Sequence, residues 1–139
     1  MSIIKAGVCL HLKVEGYPDP HLHVVLTDPF GEPPEVVIVS LRTYKGDNAP
    51  GYDPTVRLQP GEKIHRFVKH DTYVFYKWAR LIEVARLQRI IKEDLNVKDR
   101  DDSPLEMLRM IQEGLFKSKF PKQGIQAYCR ERWSITDGA

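Results

Sequence analysis

The feature that most constrains this chain is a change in the spacing of its apolar residues near residue 83. Before that point, apolar residues alternate with polar ones or form short β-branched runs, and both patterns are typical of β-strands. After it, apolar residues recur every three or four positions, as on the buried face of an α-helix. Strands first and helices last favour an α+β fold over an alternating α/β fold.

Five strands are predicted in the first part, between segments rich in glycine and proline. They cover residues 6–14, 22–27, 36–43, 55–59 and 72–82. In the first strand the even-numbered residues from Val8 to Val14 are apolar, which predicts one buried face with Cys9 on the other face. Several short strands joined by such turns favour a small, strongly bent antiparallel β-barrel over residues 5–82.

Two or three helices are predicted over residues 83–133, the first of them at 84–95 and a short last one at 123–133. The middle helix begins with a capping box, in which Ser103 is the N-cap, Pro104 follows and Glu106 stands at the third position. Its predicted buried face consists of Leu105, Leu108, Ile111 and Leu115. The whole chain, residues 1–139, has the length of a single domain.

Charge is informative here through its distribution, since the net charge is only +2. Basic residues gather in two stretches, 63–89 and 117–132, which can form one local positive patch. Cys9 and Cys129 lie far apart in the sequence and form no disulfide framework. We find no signal-peptide pattern and no run of about 20 apolar residues, so we expect a cytoplasmic protein without a membrane segment.

The usual motifs of metal and cofactor enzymes are missing from the sequence. Patterns of the HExxH, GxSxG, GxGxxG and P-loop type do not occur. His21 and His23 share one face of a predicted strand, yet no carboxylate-rich motif stands beside them. We therefore expect neither a metal ion nor a cofactor, and we place the histidines at the surface or the barrel rim.

The remaining polar residues suit cleavage of a phosphodiester by the neighbouring 2′-hydroxyl. That reaction needs a base, an acid for the leaving oxygen, and donors for the phosphate charge. Histidine titrates near neutrality and arginine holds phosphate in a forked geometry. The candidates are His21 and Thr43 as catalytic residues, and His23, Arg42, His65, Arg66 and His70 as phosphate- or RNA-binding residues.

Two of the predicted strands resemble the MazF/PemK toxin family. In that family a strand that begins Arg-Pro and runs to Ser-Asn is followed by a strand that ends Ile-Thr-Ser. Residues 21–28 (HLHVVLTD) resemble the first of these strands and residues 37–43 (VIVSLRT) resemble the second. The order of elements extends the resemblance over residues 5–117.

This resemblance implies an SH3-like barrel, usually a homodimer, that cleaves single-stranded RNA without a metal ion. It also implies an antitoxin protein that blocks the cleft. The catalytic threonine of the family falls on Thr43, whereas its catalytic arginine falls on His21. Histidine can still transfer a proton, but its charge at neutral pH differs from that of arginine.

A second function class stays open, a non-catalytic barrel module that binds a protein partner or nucleic acid. It requires only a groove or patch, whereas the nuclease requires His21 and Thr43 to converge with one more candidate in one cleft. A role as a subunit of a larger assembly is a third alternative. The aromatic residues of strand 72–82 fit either core packing or base stacking on an exposed face. They are Tyr73, Phe75, Tyr76 and Trp78.

Overall fold

The computed structural model describes residues 4–13, 20–93, 99–100 and 102–133. The fold is α+β, as predicted: an antiparallel sheet curls into a half-barrel, and three helices pack against it. The strands are β1 (Cys9–Leu12), β2 (His21–Val25), β3 (Glu35–Thr43), β4 (Arg57–Leu58), β5 (Thr72–Glu83) and the two-residue β6 (Asp99–Arg100). The helices are α1 (Val84–Glu93), α2 (Leu105–Lys117) and α3 (Gln123–Arg132).

The sheet is antiparallel throughout, with the strand order β4-β5-β3-β2-β1-β6. Its bend comes from a bulge in β5. Ile38 pairs with Arg80, and Ser40 pairs with Phe75. The chain therefore advances two residues in β3 but five residues in β5 between these two pairs. The additional residues break the ladder and increase the local twist, which is how a bulge bends a strand.

Both faces of the sheet are covered, because a hydrophobic core lies on each side. The first core joins the sheet to α2 and α3 through residues such as Val39, Tyr76 and Ile111. The second core joins the opposite face to α1, where Leu87 is fully buried. Strands with two covered faces consist of nearly continuous apolar runs, as the β-branched start of β3 does.

The prediction of one buried face for the first strand was wrong. Cys9 belongs to the first core and Leu10 to the second, and both are fully buried. The strand lies inside the sheet between β2 and β6, with a core on either side of it. The short β6 was not predicted, and Val14 falls outside the described residues.

The predicted capping box at the start of α2 does not form. Pro104 is the N-cap, and no side chain caps the helix. With ψ at 143°, Pro104 is extended, so the helix begins one residue later and Ser103 donates to the Pro104 carbonyl oxygen at 3.0 Å. The predicted buried face shifts accordingly: Leu105 is 59% exposed, whereas Met107 is fully buried.

The helices of the structure are short, at 10, 13 and 10 residues. Within the described part of the chain, no helix has both the length and the apolar composition that crossing a bilayer requires. Each helix instead places one apolar side on the sheet. Helix α2 contributes most, with five buried residues spaced three or four apart or adjacent.

Candidate functional site

A cleft of about 160 Å³ opens at one end of the half-barrel, where four strands meet. Strand β2 starts at this end with His21, β3 finishes there with Thr43, and β5 starts there with Thr72. The antiparallel register opposes Thr43 to Thr72 and Leu12 to His21, so these chain ends are neighbours. The cleft is lined by His11, Pro20, His21, Leu22, Leu41, Arg42, Thr43, Phe67, Val68 and Thr72.

Strand geometry brings polar groups to this cleft from both faces of the sheet. Successive side chains of a strand point to opposite faces, and directly paired residues share a face. Thr43 therefore lies on the face of Leu41, which belongs to the first core. Arg42 and His21 lie on the other face, so the cleft forms at the rim of the sheet, where the two faces meet.

Arg42 is held at the rim by an aromatic ring. Its guanidinium carbon lies 4.3 Å from the centroid of the Phe75 ring, and the side chain is half-buried. A Cβ atom at Gly51 would lie 3.2 Å from Phe75 Cε1, and Gly51 has φ +79°. Only glycine fits that close approach in a left-handed conformation without strain. The loop that contains Gly51 thus helps to bury the Phe75 ring, on which Arg42 stacks.

His11 reaches the cleft from β1. It is paired with Leu22, and its ring meets the edge of the Phe67 ring at 5.7 Å between centroids and an angle of 81°. The sequence predicts a surface or barrel-rim position for His11, which is not among the predicted site residues. Only the pairing of β1 with β2 brings it beside His21, so the sequence pattern of β1 alone carries no signal for this role.

His23 lies in the interior next to the cleft and does not line it. The side chain is 4% exposed, and Nδ1 lies 2.8 Å from the His21 carbonyl oxygen. Because a carbonyl can only accept, Nδ1 carries the proton. Burial lowers the pKa of His23 to about 4, and the nearby charges of Arg80, His21 and Arg42 act in the same direction. A neutral, buried imidazole cannot neutralise a phosphate, so His23 supports the start of β2 instead.

His65 is also interior, at 2% exposed. Its Nδ1 accepts the Phe67 backbone N–H at 3.1 Å, and its ring stacks on Phe67 with 5.4 Å between centroids. Arg66 is exposed, with its guanidinium 5.2 Å from the centre of the Phe67 ring. His70 is exposed, and its carbonyl oxygen accepts a hydrogen bond from Thr72 Oγ1 at 2.8 Å.

The structure therefore brings together three of the seven predicted site residues: His21, Arg42 and Thr43. The other four, which are His23, His65, Arg66 and His70, do not line this cleft. The sequence predicts which types of residue the site needs. Burial and the path of the 60–70 loop determine which of these side chains line the same cleft. His11 and Phe67 also line the cleft, although neither is among the predicted site residues.

The aromatic residues of β5 pack in the interior for the most part. Tyr73, Phe75 and Tyr76 are each at most 6% exposed, and Tyr76 donates to the Ile111 carbonyl oxygen at 2.6 Å. Trp78 is half-buried beside Phe75, with 6.2 Å between ring centroids. Core and cross-strand packing accounts for the first three, and none of them offers an open ring face to a base.

Across the described residues, no three histidine, cysteine or acidic side chains are grouped so that they could hold a metal ion. The ten cleft residues include two histidines and no carboxylate. In comparisons with known proteins, the chain matches no family model, no curated protein and no solved structure. The relationship to MazF/PemK toxins thus stays a prediction from sequence.

Proposed function

We propose that this protein binds single-stranded RNA at the rim cleft and cleaves it by attack of the ribose 2′-hydroxyl on the adjacent phosphate. The observation that supports this is the convergence of His21, Arg42 and Thr43, joined by His11, on one cleft. Two imidazoles, a guanidinium and a hydroxyl are the groups that such a reaction uses without a metal ion.

Each group has a role in the proposed reaction. His21 takes the proton of the 2′-hydroxyl, and the new P–O bond expels the 5′-oxygen, which His11 protonates. Arg42 neutralises the phosphate, and Thr43 donates a hydrogen bond to a phosphoryl oxygen. The products are a 2′,3′-cyclic phosphate and a 5′-hydroxyl end. A backbone that crosses the rim of the sheet meets groups from both faces in this arrangement.

The size of the cleft limits what it can contain. Ligand pockets for drug-sized molecules are roughly 300–1,000 Å³, and this cleft measures about 160 Å³. It accommodates one group of a nucleotide, with the rest of the strand on the open rim. This agrees with a single-stranded substrate, whose unpaired bases can be separated and held one at a time.

The proposal includes the relationship to MazF/PemK toxins that the strand motifs indicate. An SH3-like barrel, a homodimer, an antitoxin that covers the cleft and a cytoplasmic location belong to it as expectations. The half-barrel with C-terminal helices is compatible with that architecture.

One observation favours a second candidate function, binding without cleavage. Arg42 stacks on Phe75 and leaves the sheet on the face opposite Thr43. A guanidinium held against the protein on that face can attract a phosphate electrostatically without sharing a phosphoryl oxygen with Thr43. A non-catalytic module that binds RNA or a protein requires only this attraction.

The deciding experiment incubates the protein with a long single-stranded RNA in excess EDTA and analyses the fragment ends. We expect discrete fragments with 2′,3′-cyclic phosphate ends, and a loss of about 10²-fold or more in rate for His21→Ala and for His11→Ala. His70→Ala is the matched control, because this histidine is exposed and lies outside the cleft.

Equal cleavage by His21→Ala and the unaltered protein would remove His21 from the reaction. Intact RNA from a folded protein would refute the nuclease, and the affinity for that RNA would then test the binding module. Thr43→Val should reduce the cleavage rate more than the RNA affinity, since its hydroxyl acts on charge that develops in the transition state.

A further inference from the structure

We propose that Phe67 is the nucleobase-binding wall of the cleft and that His65 positions it. This inference rests on the proposed function and names the part of the RNA that the cleft holds. Phe67 belongs to the 60–70 loop rather than to the sheet, yet it lines the cleft together with His11 and Val68.

The cleft lining also includes apolar side chains, which phosphate chemistry does not require. Leu22, Leu41 and Val68 line the cleft together with the half-buried ring of Phe67, which packs against the first core. A phosphate gains nothing from such a wall, whereas a base has an apolar π-face that stacks on aromatic rings. The combination of a polar rim and an apolar wall corresponds to the two parts of one nucleotide.

His65 fixes the Phe67 ring, although a loop residue has no ladder of hydrogen bonds to hold it. The Phe67 N–H donates to His65 Nδ1 at 3.1 Å, and the two rings stack at an angle of 27°. The His65 backbone N–H points to Met107 Sδ at 3.4 Å, which ties the loop to α2. The wall is therefore set before a ligand arrives, and preorganisation of this kind lowers the entropic cost of binding.

The charge around the cleft favours a nucleotide over an apolar side chain of a protein. The ten lining residues include Arg42 and two histidines and no acidic residue. Arg66 is exposed and places its guanidinium 5.2 Å from the centre of the Phe67 ring. An arginine in that place can stack on a base or neutralise a neighbouring phosphate, as arginine does in single-strand binding sites.

The test uses a short 2′-O-methyl oligoribonucleotide, which cannot be cleaved because it lacks the attacking hydroxyl. Affinity is measured by fluorescence anisotropy for the intact strand and for strands with an abasic site at each position in turn. We expect one position at which removal of the base weakens binding about ten-fold, since one base stacked on an aromatic ring contributes roughly that much.

The matched variants separate the ring face from simple apolar bulk. Phe67→Leu keeps an apolar side chain without a π-face, and it should bind the intact and the abasic strand equally weakly. Phe67→Tyr keeps the π-face and should retain most of the ten-fold difference. Phe120→Leu is the control, because Phe120 is an exposed aromatic residue outside the cleft.

The positioning role of His65 has its own readout, the affinity ratio of intact to abasic strand. His65→Ala should reduce this ratio as Phe67→Leu does, and the double variant should show no further loss. A merely structural role for His65 would lower thermal stability and leave the ratio in the folded protein unchanged.

The outcomes distinguish this inference from the function on which it rests. Binding of the intact strand with no sensitivity to any abasic site, or with full sensitivity in Phe67→Leu, would overturn the base-stacking wall and leave the RNA cleft in place. No binding of the strand by the unaltered protein would overturn both.

Discussion

At the scale of single residues, burial decides what each histidine can do. His21 and His23 are two positions apart on the same face of β2, and the sequence predicts that both act at the site, His21 in catalysis and His23 in phosphate binding. The structure leaves His21 half-buried at the cleft and covers His23 almost completely. The alternation of side chains along a strand can be predicted from sequence. The burial of one position cannot, because the atoms that cover it come from other parts of the fold.

The buried His23 predicts a pH dependence of stability. Its pKa is about 4 in the folded protein and near 6.5 when unfolded, so the unfolded chain binds an additional proton between those values. The free energy of unfolding should therefore fall as the pH drops from 6.5 towards 4, by about 3 kcal/mol for this group. Urea unfolding at several pH values measures it.

His23→Gln removes the titrating group, so its unfolding free energy should change less between pH 6.5 and 4. His70→Gln, at an exposed position, should keep the slope of the unaltered protein. An identical slope in His23→Gln would show that another group is responsible.

At the scale of elements, helix α2 lies unusually close to the sheet at Gly114. A Cβ atom there would collide with the Tyr76 hydroxyl and with the Val56 Cγ2 methyl group. Tyr76 cannot easily yield, because it is fully buried and its hydroxyl donates to the Ile111 carbonyl oxygen. The glycine thus sets the distance between α2 and the strand below it.

We expect Gly114→Ala to destabilise the protein by about 1–3 kcal/mol, the usual cost of overpacking a core. Helix propensity alone predicts a gain of about 1 kcal/mol from the same change, so the sign of the effect is diagnostic. Gly124→Ala in α3 is the control, because a Cβ there meets nothing within 4 Å. Thermal or urea unfolding compares the two, and a stable Gly114→Ala protein would contradict the close packing.

The elements themselves could largely be predicted, because periodicity and turn residues are local signals. The five predicted strands and the predicted helices all overlap observed elements, although the observed β1 and β4 are shorter than predicted. Three features could not be predicted: the β5 bulge, the start of α2 at Leu105 and the short β6. Each depends on tertiary contacts or on a φ/ψ value that composition does not determine. The same holds for the site. The predicted residues at strand ends line one cleft because strand pairing brings them together, whereas predicted loop residues such as His65 do not line it.

At the scale of the whole molecule, the first core unites sheet and C-terminal helices. Cys9 in β1 and Cys129 in α3 are 120 positions apart, and both are fully buried in that core. Burial raises the pKa of the Cys129 thiol to about 12, so the reactive thiolate is scarce at neutral pH. The reactivity of these two thiols can therefore report on unfolding of β1 and of α3 separately.

Single-thiol variants, Cys9→Ala and Cys129→Ala, should react with a thiol reagent at least about a hundred-fold more slowly in buffer than in urea. Both reactions should begin at the same urea concentration, because one shared core opens as a unit. Early reaction of Cys129 alone would show that α3 detaches before the half-barrel unfolds.

The two long strands, β3 and β5, occupy inner positions of the sheet, while β4 and β6 at its edges have two residues each in the described structure. Long, unpaired edge strands invite other chains to add to a sheet and are a common origin of aggregation. Strand β4 pairs only with Thr72 and Tyr73, so the later residues of β5 have no strand on that side within the described residues. If two copies associate by extending the sheet in concentrated solution, we therefore expect the added strand to lie along the later residues of β5.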